Sequence, residues 1–283
     1  MPAATAPFIT QPPANAAAWA TLFDPATLPV LAETANALEL MRAKEDDVAA
    51  HLLSESFCTD PLMTLKLLAH VSRLRRSRDT ESRSDVETMT AALVMLGIGP
   101  FFRAFGPQTA VEDLLATEPA ALAGFQAVLR RSHRAANFAA AFAVRRRDHD
   151  LAVIHEAALL HDFAEMLLWV RAPALASAMA RRQSADPLLR SSAVQRETLN
   201  VELADLQHTL MSAWGLPELL VRISDDRHAN SDQVRNVLLA LRVARHSSHG
   251  WDNAALPDDV RDVAELLQLG LGPAEQLLRE ADA

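Results

Sequence analysis

Apolar residues recur along most of this chain every three or four positions, the period of a helix with one face turned to a core, and no convincing strand alternation interrupts it. The segment "PATLPVLAETANALELMRA" shows the repeat first; "EDDVAAHLLSESFC" comes next, with acids at its start, where a helix dipole favours them. "TDPLMTLKLLAHVSRL" opens on a Thr-Asp cap candidate with a proline in the first turn, a combination that starts helices. In "SDVETMTAALVMLGIG" Ser84 stands three residues before Glu87, a capping-box spacing, and Gly97, Gly99 and Pro100 end the run. The same pattern predicts helices at about 119–147, 150–171, 187–213, 216–228, 231–249 and 257–269, with a short one after Pro273. No repeat of fixed period is present. The chain reads as all-α.

Composition sharpens that picture. A length of 283 residues suits one large domain or two modest ones, and half the residues are hydrophobic, enough for a sizeable core. Ala and Leu dominate, glycines number eight and tyrosine is absent, a balance that favours helix over sheet. The opening "MPAATAPFITQPPANAAAW" has neither a positive n-region nor a continuous apolar stretch, so it is not read as a signal peptide; residues 1–18 are expected to form a flexible Pro/Ala-rich arm. "TEPA" at 117–120 is the expected joint between an N-terminal helical bundle, 19–117, and a second bundle, 118–283. No apolar run approaches the ~20 residues that span a membrane. The lone Cys58 excludes an internal disulfide, fits a reducing compartment and is expected to be a small core residue. The expectation is a soluble, cytoplasmic protein with no membrane partner.

Charge narrows the partners. A formal net charge of −9 argues against nucleic acid, which demands a basic face. Two basic clusters, "SRLRRSRDTESRSD" and "VRRRDHD", carry acids among their arginines and fall where the apolar period breaks, so they read as solvated loops or helix ends.

Candidate chemistry centres on "AALLHDFAEMLLWV", an apolar run interrupted by His161 and Asp162. The run is apolar on every helical face, which predicts a buried helix. A buried carboxylate needs a cation, a metal or several hydrogen-bond donors, so the pair is either a structural hydrogen-bonded couple or part of a metal site. The other His-Asp pair, His149–Asp150, lies in a polar helix junction and reads as solvated. His246 and His249, three apart, stand at a fraying helix end and are expected to be exposed; His51, His70 and His155 occur singly and read as core-edge or surface residues. No Walker loop, dinucleotide fingerprint, serine elbow or zinc-type cysteine pair is present.

"EAALLHDFAEMLLW" resembles the helix that bears the His-Asp pair in the HD superfamily of metal-dependent phosphohydrolases. More narrowly, the chain resembles the HDOD family, the HD-related output domain of bacterial signalling proteins. The resemblance rests on Asp60, Pro61, Leu62, Leu67 and Leu68, on Ala92, Leu96 and Gly97, and on "WGLPELLVRISDDRH" at 214–228; it runs in order from about residue 28 to 272. It implies a multi-helix HD-like bundle preceded by a smaller N-terminal helical bundle. It further implies a metal site fed by several helices, in which His133 in "RRSHRAANFAAAFA", His161 and Asp162 match ligand positions.

The remaining positions depart from the pattern. Ala164 and Glu165 stand for the glycine and lysine that follow His-Asp in hydrolytic relatives, Leu203 stands at a histidine position, and the paired histidines after the tryptophan motif are Arg227 and His228. The closing Ala-Asp falls on Ala244 and Arg245. Neither leucine nor arginine can donate a lone pair to a metal, so at most His133, His161, Asp162 and His228 survive, enough for one divalent ion (Fe, Mn or Zn) but not for a two-metal centre. His208, one turn beyond Leu203, is a possible substitute by position only. Arg227 or Arg245 is instead expected to neutralise Asp162 as an ion pair in place of the metal.

Two readings emerge. One is a non-catalytic regulatory module that binds a signalling protein partner or senses a ligand, a nucleotide or cyclic dinucleotide met by Arg131, Arg134 and Arg227 among them. The other is a metal-dependent phosphohydrolase or phosphodiesterase using His133, His161 and Asp162.

Overall fold

A computed structural model describes residues 7–77, 86–186, 189–225 and 231–282. Among these residues the chain is all-α, and the one β-type pairing is an isolated parallel bridge between Val30 and Ala110. In chain order the helices are α1 (Ala16–Ala20), α2 (Ala32–Arg42), α3 (Ala50–Phe57), α4 (Pro61–Ser77), α5 (Met89–Leu96), α6 (Ile98–Ala104), α7 (Val111–Leu114), α8 (Pro119–Arg146) and α9 (Leu151–Leu160). They continue with α10 (Phe163–Arg171), α11 (Pro173–Ala185), α12 (Ser191–Leu199), α13 (Leu203–Trp214), α14 (Glu218–Ile223), α15 (Asp232–His246), α16 (Leu256–Leu267) and α17 (Leu271–Ala281). None of the described helices is long and apolar enough to cross a membrane.

Local chemistry explains where several helices depart from the periodicity. The first run does not become helical until Ala32: Asp24 caps a 3₁₀ turn at Pro25–Thr27, accepting a bond from the Ala26 N–H at 2.9 Å, and Pro29 keeps the chain extended just after it. Ser84 lies outside the described residues; α5 is capped instead by Thr88, whose hydroxyl accepts from the Ala91 N–H at 3.2 Å. The expected helix at 187–213 is two, α12 and α13, because Asn200 ends α12 in the left-handed region at φ 59°. α11, which the periodicity left unassigned, begins with Pro173 in the first turn.

The chain divides into two compact units, residues 1–127 with 162–216 and residues 128–161 with 217–283. This is not the division expected at 117–120. Pro119 there is the first residue of the 28-residue α8, acting as a helix starter rather than a linker, and the division falls inside that helix.

In the first unit α4 is the hub. Every residue from Pro61 to Ala69, with Val71, is buried, so its first half lies in the core on all sides. Asp60, itself fully buried, starts the helix: its carboxylate accepts from the N–H groups of Leu62 at 2.9 Å and Met63 at 3.0 Å, and from Leu31 at 2.8 Å. Phe57, Phe101, Phe102 and Phe105 stack beside it, with ring centroids 5.1 to 6.2 Å apart along the chain of contacts. The expected flexible arm is, from residue 7, a tethered one. Ile9 N–H donates to Arg171 O at 2.7 Å, Asn200 Nδ2 donates to Pro13 O at 3.2 Å, and fully buried Trp19 donates its indole N–H to Leu199 O at 2.8 Å. Its backbone groups find hydrogen-bond partners in the rest of the unit, which proline-rich composition does not forbid. Cys58 is half-buried at the end of α3 and donates weakly to Glu55 O at 3.5 Å.

The second unit packs the latter part of α8 with α9 and α14–α17. Phe138, Ala139, Phe142 and Ala143 give α8 a buried stripe at helical spacing. Two polar devices hold the bundle. Arg134 makes a bidentate pair with Asp282, at 2.5 and 2.8 Å, and donates to Ser247 Oγ at 2.7 Å and Ala244 O at 3.2 Å. Asp259 is fully buried and accepts from Arg242 at 2.6 and 3.1 Å, with His246 Nδ1 at 2.5 Å on its other oxygen.

Candidate functional site

His161 and Asp162 do not lie on one continuous helix. The expected helix at 150–171 breaks between them: His161 is the C-cap of α9 and Asp162 the N-cap of α10. His161 N–H reaches back to Ala158 O at 3.4 Å, tightening the last turn of α9. The Asp162 carbonyl then accepts from the N–H groups of Glu165 at 3.1 Å and Met166 at 3.2 Å, starting α10. Leu159, Leu160, Phe163 and Ala164 on either side are buried, whereas His161 and Asp162 are only half-buried. The apolar run therefore serves two helix ends, and its polar centre is the turn. This eases the burden placed on Asp162, because a carboxylate at a helix N-terminus is favoured by the helix dipole.

The matched ligand positions fall on both units. His133, on α8, and His161 belong to the second unit, and Asp162 opens the segment that belongs to the first. His155, on α9, is brought into electrostatic reach of His133: burial, and then repulsion by His133, push the His155 imidazole below the usual histidine range. No spacing pattern in the sequence flags His155, because α8 and α9 meet only through tertiary packing. Leu203 is the first residue of α13, half-buried, with its N–H donating to Gln195 Oε1 at 2.9 Å; His208 lies further along the same helix. Arg227 and His228 lie outside the described residues.

Arg245 is solvent-exposed in the last turn of α15 and forms no ion pair among the described residues. One turn earlier, Arg242 on the same helix pairs with Asp259 and Asp262. Arg134 is committed to Asp282 and Ser247, so it is not available to greet a phosphate as expected. His246 is held by Asp259, and exposed His249 faces Ser248 Oγ at 3.0 Å, so the two do not converge. Among the described residues no group of three His, Cys, Asp or Glu side chains is arranged to hold a metal ion.

A family model for the HDOD domain matches residues 28–230. No curated protein matches the chain. Among solved structures, the MmoQ response regulator of Methylococcus capsulatus str. Bath superimposes with a TM-score of 0.67 at 20% identity, over 89% of this chain and 98% of that one. A virulence factor of Campylobacter jejuni subsp. jejuni gives 0.60 at 17% identity, over 89% and 90%. An HDOD domain protein of unknown function from Geobacter sulfurreducens gives 0.50 at 16%, over 94% and 96%. At these identities the likeness speaks for the fold.

Proposed function

The chain belongs to the HDOD family, and from that membership we propose that it is a non-catalytic signal-transduction protein, a helical module that recognises a protein partner or signalling ligand over a degenerate HD site. One observation carries this reading: Leu203, Arg227 and Arg245 stand where the resemblance to the HD pattern leads us to expect metal ligands, and none of the three offers a lone pair. The donor set does not fit a two-metal phosphohydrolase centre, which needs several converging carboxylates and imidazoles to hold its ions and the attacking water. Of the two arginines at former ligand positions Arg245 is exposed, so Arg227 is the remaining candidate for an internal cation. The MmoQ protein of similar fold is a response regulator, and a regulatory setting of that kind is the one we propose here. Arg134, committed to Asp282, has no part in the sensing of a nucleotide or cyclic dinucleotide at this site.

Metal analysis of the purified protein tests the reading. Far less than one equivalent of Fe, Mn or Zn is expected, with no change on His161→Ala. A near-stoichiometric metal content that disappears in that variant would overturn it in favour of a phosphohydrolase using His133, His161 and Asp162.

A further inference from the structure

Lys66, His70 and Arg73 succeed one another at intervals of four and three residues, so they share one stripe of α4, and Arg76 extends it. In the first unit this stripe lines a recess of about 290 Å³, closed by Asp24, Phe105, Gln108 and the end of α13 at Trp214. That volume is close to the lower end of small-molecule pockets, roughly 300–1,000 Å³. Small residues, Ala69, Ala104 and Ala213, keep the space beside the cations open.

The charge balance of the recess runs against that of the chain. Lys66, Arg73 and Arg76 line the recess beside one lining carboxylate, in a protein of net charge −9. That carboxylate, Asp24, is already capping the turn at Ala26. Neither Lys66 nor Arg73 forms an ion pair among the described residues. Among the described residues Arg76 donates to Trp214 O at 3.1 Å, its guanidinium lying against Gly215, where an added Cβ would stand 2.0 Å from Nη1. Arginines at the C-terminal end of a helix are ordinarily explained by the dipole, but Lys66 is mid-helix and buried. Its ammonium donates to Leu28 O at 2.7 Å and to Gln108 Oε1, which leaves one of its three N–H donors uncommitted. A buried cation with a spare donor, beside two arginine forks, is the arrangement that recognises a multiply charged oxyanion.

We propose that this recess binds a phosphate group, either free or carried on a small organic molecule. The site is separate from the HD-derived residues and stands whether or not the reading of those residues holds. Burial, and then Arg73, hold the His70 imidazole below the usual range, and a bound dianion reverses that by favouring its protonated form.

Calorimetric titration with inorganic phosphate, phenyl phosphate and benzoate tests the proposal, using wild type, the double variant R73Q/R76Q and the control R103Q, which removes one exposed arginine outside the recess. Saturable phosphate binding is expected in wild type and R103Q, weakened roughly tenfold or more in the double variant. Tighter binding of phenyl phosphate than of inorganic phosphate assigns an organic ligand, and equal affinity assigns free phosphate. In wild type, where folding of variants is not at issue, the His70 ring resonances should titrate at higher pH when phosphate is present. The proposal fails if no saturable binding is seen or if benzoate binds as tightly as phenyl phosphate. It fails equally if the double variant keeps full affinity, if R103Q loses as much as it does, or if the His70 titration does not move.

Discussion

Lys66 shows what a single buried charge does to stability. Burial dominates its environment and the more distant Asp60 and Asp24 only partly compensate, so its pKa is pulled down to about 8 from the 10.5 of a free lysine. Below pH 8 the ammonium is charged in both folded and unfolded chains, and the fold bears the whole desolvation cost. Between pH 8 and 10.5 the unfolded chain binds the proton and the folded one releases it, so this group makes stability rise with pH, at most about 1.4 kcal/mol per pH unit. Urea denaturation of wild type and Lys66→Met across that range should show wild type gaining on the variant; parallel curves would refute the assignment. At this scale the sequence points to His133, His161 and Asp162 but not to their surroundings. It places the His-Asp pair inside a helix because an apolar run cannot show where one helix stops and the next begins. It passes over Lys66 and reads His70 as a single core-edge or surface residue because the stripe they form has meaning only once Trp214 and Gln108 are packed against it.

Between helices, one tight fit is at Gly124 of α8. A Cβ there would lie 2.5 Å from the Trp169 ring of α10, well inside contact distance. Ala is the better helix former by roughly 0.5–1 kcal/mol, but overpacking costs about 1–3 kcal/mol, so Gly124→Ala should destabilise despite propensity. The Trp169 indole N–H has no hydrogen-bond partner among the described residues, so Trp169→Leu opens the space without breaking such a bond. The double variant should therefore be more stable than the sum of the single effects predicts, a coupling that a double-mutant cycle by thermal or chemical melts will measure. Most helices are legible from apolar period and start signals, α4, α8 and α15 most plainly. α11 is not, since "PALASAMARRQSA" buries only a narrow face and gives a weak pattern. The tethering of residues 7–15 is also hidden, because it runs through backbone groups that carry no sequence signature.

For the molecule as a whole, the family assignment is legible from motifs in order, but the division of the chain is not, because the two units are interleaved rather than consecutive. A fragment starting at residue 118 would carry residues 162–216 without residues 1–117, most of the segment they pack with. We expect residues 118–283 expressed alone to show poor amide dispersion and no cooperative melt, where the full chain shows both; a cooperative melt of the fragment would contradict the interleaving.

The same interleaving has a consequence during synthesis. Trp19 leaves the ribosome before Leu199, whose carbonyl receives its indole N–H and which comes 180 residues later. At roughly 5–20 residues per second a ribosome needs about 9–36 s to deliver it. Throughout that interval the tryptophan's partner has yet to be made, so the first unit cannot close before it has passed and the nascent chain depends on whatever shields its apolar helices in the meantime.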